Sequence, residues 1–149
     1  MENLKIGELA KRAEVNPKTI RFYEQIGLLP KAPRTDSGYR LYAPSIADRI
    51  QFIKKAQHLG LHLEEIGEIL DLTDRGSCPC GHVEALLQKR LKEIDEKLKD
   101  LKVLKQRASK ALKNPCPPDF EPSGSARCPQ IEKVPINFRM PKIKKKGGE

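Results

Sequence analysis

Apolar residues recur at helical spacing through Leu4, Ile6, Leu9, Ala10, Ala13 and Val15, which predicts a first helix that stops at Val15-Asn16-Pro17. Asn16 can cap and Pro17 suits a first helical position, so a second helix follows at once, carries Ile20, Tyr23 and Ile26, and closes at Gly27. Two short helices joined by a tight turn form a helix-turn-helix candidate. Pro33, Asp36, Ser37 and Gly38 then supply turn chemistry, and Tyr39, Leu41 and Tyr42 alternate as in a strand, which predicts a small β-hairpin wing. After Pro44 and Ser45 a stripe of Ile46, Ile50, Ile53 and Leu59 marks a further helix, and Gly60 separates it from a shorter one over residues 61–72. From Val83 to Leu112 the period changes. Leu87, Leu91, Ile94, Leu98, Leu101, Ala108 and Leu112 fall on alternating steps of four and three, with Lys105 in the one polar slot. Such a rod, about 45 Å long, cannot bury its seam alone. The chain has no second helix of that length, so its partner is another copy, parallel or antiparallel, and a homodimer follows.

The segment after Lys113 is rich in proline, glycine and serine and reads as loop, and the last residues read as a disordered basic tail. The expected organisation is a mostly α chain: a winged helix-turn-helix with its second helical pair over 1–75, a dimerisation helix over 76–113, a loop over 114–134 and a tail over 135–149.

Composition narrows the function. A chain of 149 residues with 38% hydrophobic and 5% aromatic residues and no tryptophan favours shared helical faces and binding over elaborate catalysis. Its net charge of +9 favours a polyanionic partner, and the charge is concentrated. Residues 5–55 hold 11 basic and 5 acidic side chains, whereas residues 56–75 hold 1 and 5. No apolar run is long enough to span a membrane and no signal peptide opens the chain, so a cytoplasmic location with reduced thiols is expected.

A basic helix-turn-helix in a dimer implies two half-sites on double-stranded DNA, with a helix of each head in the major groove. Lys18, Thr19 and Arg21 are the polar positions near the start of the second helix, and Tyr23, Tyr39 and Arg40 are further phosphate contacts. The competing reading makes Tyr39 and Tyr42 hairpin packing and Arg21 surface. The stretch KIGELAKRAEVNPKTIRFYEQIGLLPKAPRTDSGYRLY resembles the N-terminal module of the MerR family of transcriptional regulators, with TIRFYEQIGLL and SGYRLY its specific pair of elements. That resemblance implies a winged helix-turn-helix, a helical linker and a dimerisation helix. It also implies that these six residues face DNA, that Lys54 or Lys55 adds phosphate contacts, and that RNA polymerase is the downstream partner.

The chain has four cysteines. Cys78 and Cys80 precede the long helix, Cys116 follows it and Cys128 lies twelve residues further on. An antiparallel pair of rods sets the start of one helix beside the end of the other, so Cys80 of one subunit can meet Cys116 and Cys128 of its partner. Thiolates suit soft or borderline divalent ions. The arrangement is similar to that of the metal-sensing branch of the same family, in which a cysteine at the start of the dimerisation helix goes with divalent ions. Within it, Cys80, Cys116 and Cys128 look most like the three-thiolate mercury sensors, although the loop from Cys116 to Cys128 is longer than that likeness leads one to expect. Cys78 and His82 are additional donors that would complete a four-coordinate site for zinc or cadmium. Hg(II) is favoured, with Zn(II), Cd(II) and Pb(II) as alternatives. A redox-sensing regulator is disfavoured because iron-sulfur ligation gathers cysteines in one run. A thiol or metal enzyme is disfavoured because His82 is the sole acid/base group beside the thiols.

Overall fold

The computed structural model describes residues 2–124 and 126–135. The basic tail expected from residue 135 falls, apart from Pro135, outside the described residues. The order of elements is β1 (Leu4–Lys5), α1 (Ile6–Ala13), α2 (Pro17–Gln25), β2 (Leu41–Tyr42), α3 (Ser45–His58), α4 (Leu63–Asp74), α5 (Cys80–Leu112) and α6 (Pro129–Glu132). The chain divides into two units, Met1–Arg90 and Leu91–Glu149.

In the first unit, α1 starts where the Glu8 carboxylate accepts the Lys5 N–H at 2.7 Å. It ends at Glu14, whose φ of 54° is left-handed. The Asn16 side chain accepts the Lys18 N–H at 2.9 Å and Pro17 occupies the first turn, so α2 begins as its sequence dictates. Leu9, Ile20, Ile50, Ile53, Ile66 and Ile69 are buried at the centre of one core shared by α1 to α4. Leu4 and Lys5 differ from expectation. They leave the helix and pair antiparallel with Leu41 and Tyr42. The wing strand thus has the chain's N-terminal end as its partner, and the turn is closed by a single Arg34–Arg40 bridge, with Thr35 N–H donating to Tyr39 O at 2.8 Å. Leu59 also leaves the expected stripe, because α3 ends before it and it lies exposed at the C-cap.

The start of α5 belongs to this first unit. Val83, Leu86 and Leu87 pack on the core, and Arg90 reaches the beginning of α4. Its Nη2 donates to both Glu65 oxygens, at 3.2 and 2.9 Å, and its stem lies 3.5 Å from where a Cβ on Gly60 would stand. Gly60 turns the chain between α3 and α4 at φ +82°. Glu65 also accepts the His62 N–H at 2.7 Å, capping α4. Burial pushes the Glu65 carboxyl up, but the His62 amide and the Arg90 charge outweigh it and hold the group below its ordinary value. A carboxyl depressed in the fold adds stability above its unfolded pKa and loses it as the pH falls through the folded one. Arg90→Met is therefore expected to lower the unfolding free energy by about 1.5–3 kcal/mol at neutral pH. Urea melts should show this deficit shrinking as the pH drops below 4.5, the ordinary carboxyl value.

The second unit carries the rest of α5, where no residue is buried. Leu91, Ile94, Leu98, Leu101 and Leu112 are all exposed, so the seam lies open along the chain. Beyond it the segment expected to be wholly loop contains the short α6. Gln130 on α6 donates to Ala111 O at 3.3 Å, in the last turn of α5. No helix among the described residues is long and apolar enough to cross a membrane.

Candidate DNA interface and thiol clusters

Lys18 and Arg21 stand exposed on α2 and Thr19 is half-buried beside them, all in the first turns of the helix. Exposed at 62%, Tyr39 projects from the wing tip with the Lys5 ammonium 5.6 Å from its ring centroid. Between α2 and the wing runs a groove of about 490 Å³ lined by Arg21, Lys31, Arg34 and Arg40, with Glu24 and Gln25 on its helix wall. Four cations on one concave face attract phosphate strongly, because their fields add. Lys31 and Arg34 were not among the residues singled out from sequence; their flanking Pro30 and Pro33 signal turn before contact.

Two expected contacts are placed differently. Tyr23 is 5% exposed in the core, and its hydroxyl donates to Gln57 Oε1 at 3.1 Å. Burial also pushes its pKa up, so it stays a neutral hydroxyl. Lys54 turns inward and its Nζ donates to Ala13 O at 3.3 Å and Glu14 O at 3.2 Å, capping α1 where the left-handed Glu14 leaves carbonyls without helical partners. Lys55, one step round α3, is exposed. Lys54 therefore caps α1, and Lys55 is the more exposed of the pair.

Cys80 is the first residue of α5, and Cys78 lies beside it; both are free and exposed. The Cys80 amide hydrogen-bonds the Cys78 sulfur, and that bond, with the neighbouring Cys80 thiol, draws the Cys78 pKa down. Cys80 is pushed up by the same thiol contact. A helix N-terminus favours thiolate through its unpaired N–H groups, and both thiols stand at that terminus. His82 Nε2 lies 2.9 Å from Glu68 Oε2, so this nitrogen is already engaged and Nδ1 is the atom left to act as a donor.

The other two thiols belong to the second unit. Cys116 is exposed just past α5, and half-buried Cys128 caps α6, whose Gln130 ties it to the last turn of α5. Folding thus returns Cys128 to the helix end where Cys116 departs. Among the described residues of one chain no three His, Cys, Asp or Glu side chains converge as a metal site.

Residues 5–42 match the model of the MerR family regulatory protein, and residues 47–108 match the MerR DNA-binding model. The chain is 40% identical over 128 residues to the mercuric resistance operon regulatory protein of Bacillus cereus, covering 86% of this chain and 94% of that one. It is 39% identical over 113 residues to the transcriptional regulator ZntR of Escherichia coli, covering 75% and 79%. Among solved structures it is similar to the regulator PbrR691 of Ralstonia metallidurans in complex with lead(II), at 31% identity and a TM-score of 0.70, over 87% of this chain and 97% of that one.

Proposed function

The chain belongs to the MerR family of regulatory proteins, and on that premise we propose that it works as a homodimer that senses mercury(II) and activates a metal-resistance promoter. The family and its relatives make it a DNA-binding, metal-responsive regulator. The observation that carries the proposal is the placement of Cys80 at the first residue of α5, at the head of the exposed seam. With two such helices antiparallel, Cys80 of one subunit would join Cys116 and Cys128 of its partner around a soft ion.

Mercury is favoured because three thiolates satisfy it without oxygen or nitrogen donors. Zinc, cadmium or lead is the second reading, supported by Cys78 and His82 within two residues of Cys80 and by the likeness to a regulator whose structure holds lead(II). In both readings the dimer holds its operator with and without the ion, and RNA polymerase is the partner that reads the change. The ion must bind one arrangement of the heads more tightly than the other, since a ligand shifts a two-state equilibrium only by its differential affinity. Bending or untwisting a site of this length costs about 1–6 kcal/mol, within reach of several metal–thiolate bonds.

Titrating the reduced protein with mercury(II), zinc(II), cadmium(II) and lead(II) against a chelating thiol tests the ion. Tightest binding to mercury with sulfur-to-metal absorption supports the first reading; preference for another ion with dependence on Cys78 or His82 supports the second. DNA selection from a randomised pool tests the heads. Arg21→Ala is expected to weaken the selected duplex by about 1–3 kcal/mol, while equal affinity for scrambled and selected duplexes in the parent protein would sink the regulator reading.

A further inference from the structure

Glu24 is the one carboxylate in the groove that faces DNA in the reading above, among Arg21, Lys31, Arg34 and Arg40. An anion there opposes phosphate, so by charge alone it weakens binding. Its geometry gives it another part. The side chain is only 8% exposed, at the end of α2. Oε1 accepts the Ala32 N–H at 3.2 Å, on the leg entering the wing. Oε2 lies 3.4 Å from Arg40 Nε, on the leg leaving it. The two legs are otherwise joined by few backbone bonds, among them Leu41 N–H to Pro33 O at 3.0 Å. One carboxylate therefore ties both legs of the wing to the recognition helix, and it grips Arg40 at Nε, the inner nitrogen of the fork.

We propose that Glu24 is a positioning residue for DNA recognition: it orients Arg40 and fixes the wing against α2, trading general attraction to phosphate for discrimination between duplexes. This rests on the DNA-binding reading. A guanidinium held at Nε presents its Nη edge in a fixed direction, and order established before binding need not be imposed by the DNA.

Glu24→Gln keeps an acceptor for Ala32 but sets an amide N–H against the Arg40 N–H. Affinities are measured for a duplex selected by the parent protein and for a scrambled duplex of equal length, in the parent and Arg40→Gln backgrounds. The expected result is a loss of about tenfold on the selected duplex and none on the scrambled one, falling to less than about twofold in the Arg40→Gln background. The slope of log affinity against log salt should also become shallower by about 0.9 on the selected duplex and not on the scrambled one, because the fixed Arg40 meets its phosphate only where the selected duplex seats the wing, a change that a folding defect does not produce. Equal loss in both backgrounds, or no loss, overturns the proposal. If Glu24→Gln melts below the assay temperature, Glu24→Asp keeps the charge but is one methylene short of spanning both partners; it should show the same selective loss, and unchanged discrimination again overturns the proposal. A parent protein that selects no sequence ends the DNA-binding reading and this inference together, whereas a selective parent with an inert Glu24 ends this inference alone.

Discussion

Cys80→Ser is expected to abolish the response to mercury(II) while leaving the selected duplex bound. A serine hydroxyl keeps the shape of the helix start but donates weakly to a soft ion. If three thiolates share an apparent binding energy of about 10 kcal/mol, removing one weakens the ion by more than about 100-fold. Because Cys80 lies in the first unit and the groove is lined by α2 and wing residues, DNA affinity without metal should stay within about twofold of the parent. Cys116→Ser and Cys128→Ser are expected to match it in ion titrations and in promoter transcription with added metal. Cys78→Ser separates the two readings: it leaves mercury binding almost intact under the three-thiolate reading and removes zinc binding under the four-coordinate one. Full induction by all three variants at Cys80, Cys116 and Cys128 would end the thiolate-sensor proposal. Ion binding should also release protons, since a thiol coordinates as thiolate, so apparent affinity rises with pH.

The second large effect is expected at the seam. Leu98 is 49% exposed and Leu101 51% exposed. Burying a leucine fully contributes about 1.5–3 kcal/mol. Each of the two is already about half covered within its own chain, so the burial left to gain is about half of that, and in a two-fold symmetric dimer, where every substitution counts twice, Leu98→Lys should weaken the dimer by about 1.5–3 kcal/mol, or about 10- to 100-fold in dissociation constant. Sedimentation equilibrium should show a monomer at micromolar concentration. The first unit has its own core, so the variant should retain the helical signal of α1 to α4 while losing tight metal binding along with the dimer. A variant that remains dimeric would remove the basis for a site shared between subunits.

The two effects rest on features that were legible to different degrees. Asn16-Pro17 and the glycines at 27 and 60 spoke clearly because caps and left-handed turns depend on residues next to one another. The run of α5 from leucine to leucine was equally plain, being periodic over many turns. Leu4 and Lys5 were misread as helix because the period through Leu4, Ile6 and Leu9 is compatible with one, and a strand of two residues is defined by a partner some 37 positions away. Lys54 was read by charge, whereas the carbonyls it serves lie on another element and become visible when α1 and α3 pack. The Arg90–Glu65 clamp and the two-legged grip of Glu24 have the same origin: local pattern carries no information about which distant carboxylate will meet which cation. The thiols stood in between. Their types and flanking proline residues were readable, but the return of Cys128 to the end of α5 depends on a helix of four residues that periodicity cannot detect.

The wing closes through one bridge and a handful of amide bonds from Thr35, Gly38 and Leu41, and most of its residues are exposed. Segments with so few buried contacts open without global unfolding, so their amide hydrogens exchange with solvent long before those of Ile50 or Ile66. The loop proposed to touch DNA is thus also a part of the first unit that yields readily. What the Glu24 tie does not hold, the tip from Thr35 to Tyr39, a duplex would have to quiet on binding, and that part of the recognition free energy would make the lifetime of the complex sensitive to how often the tip breathes.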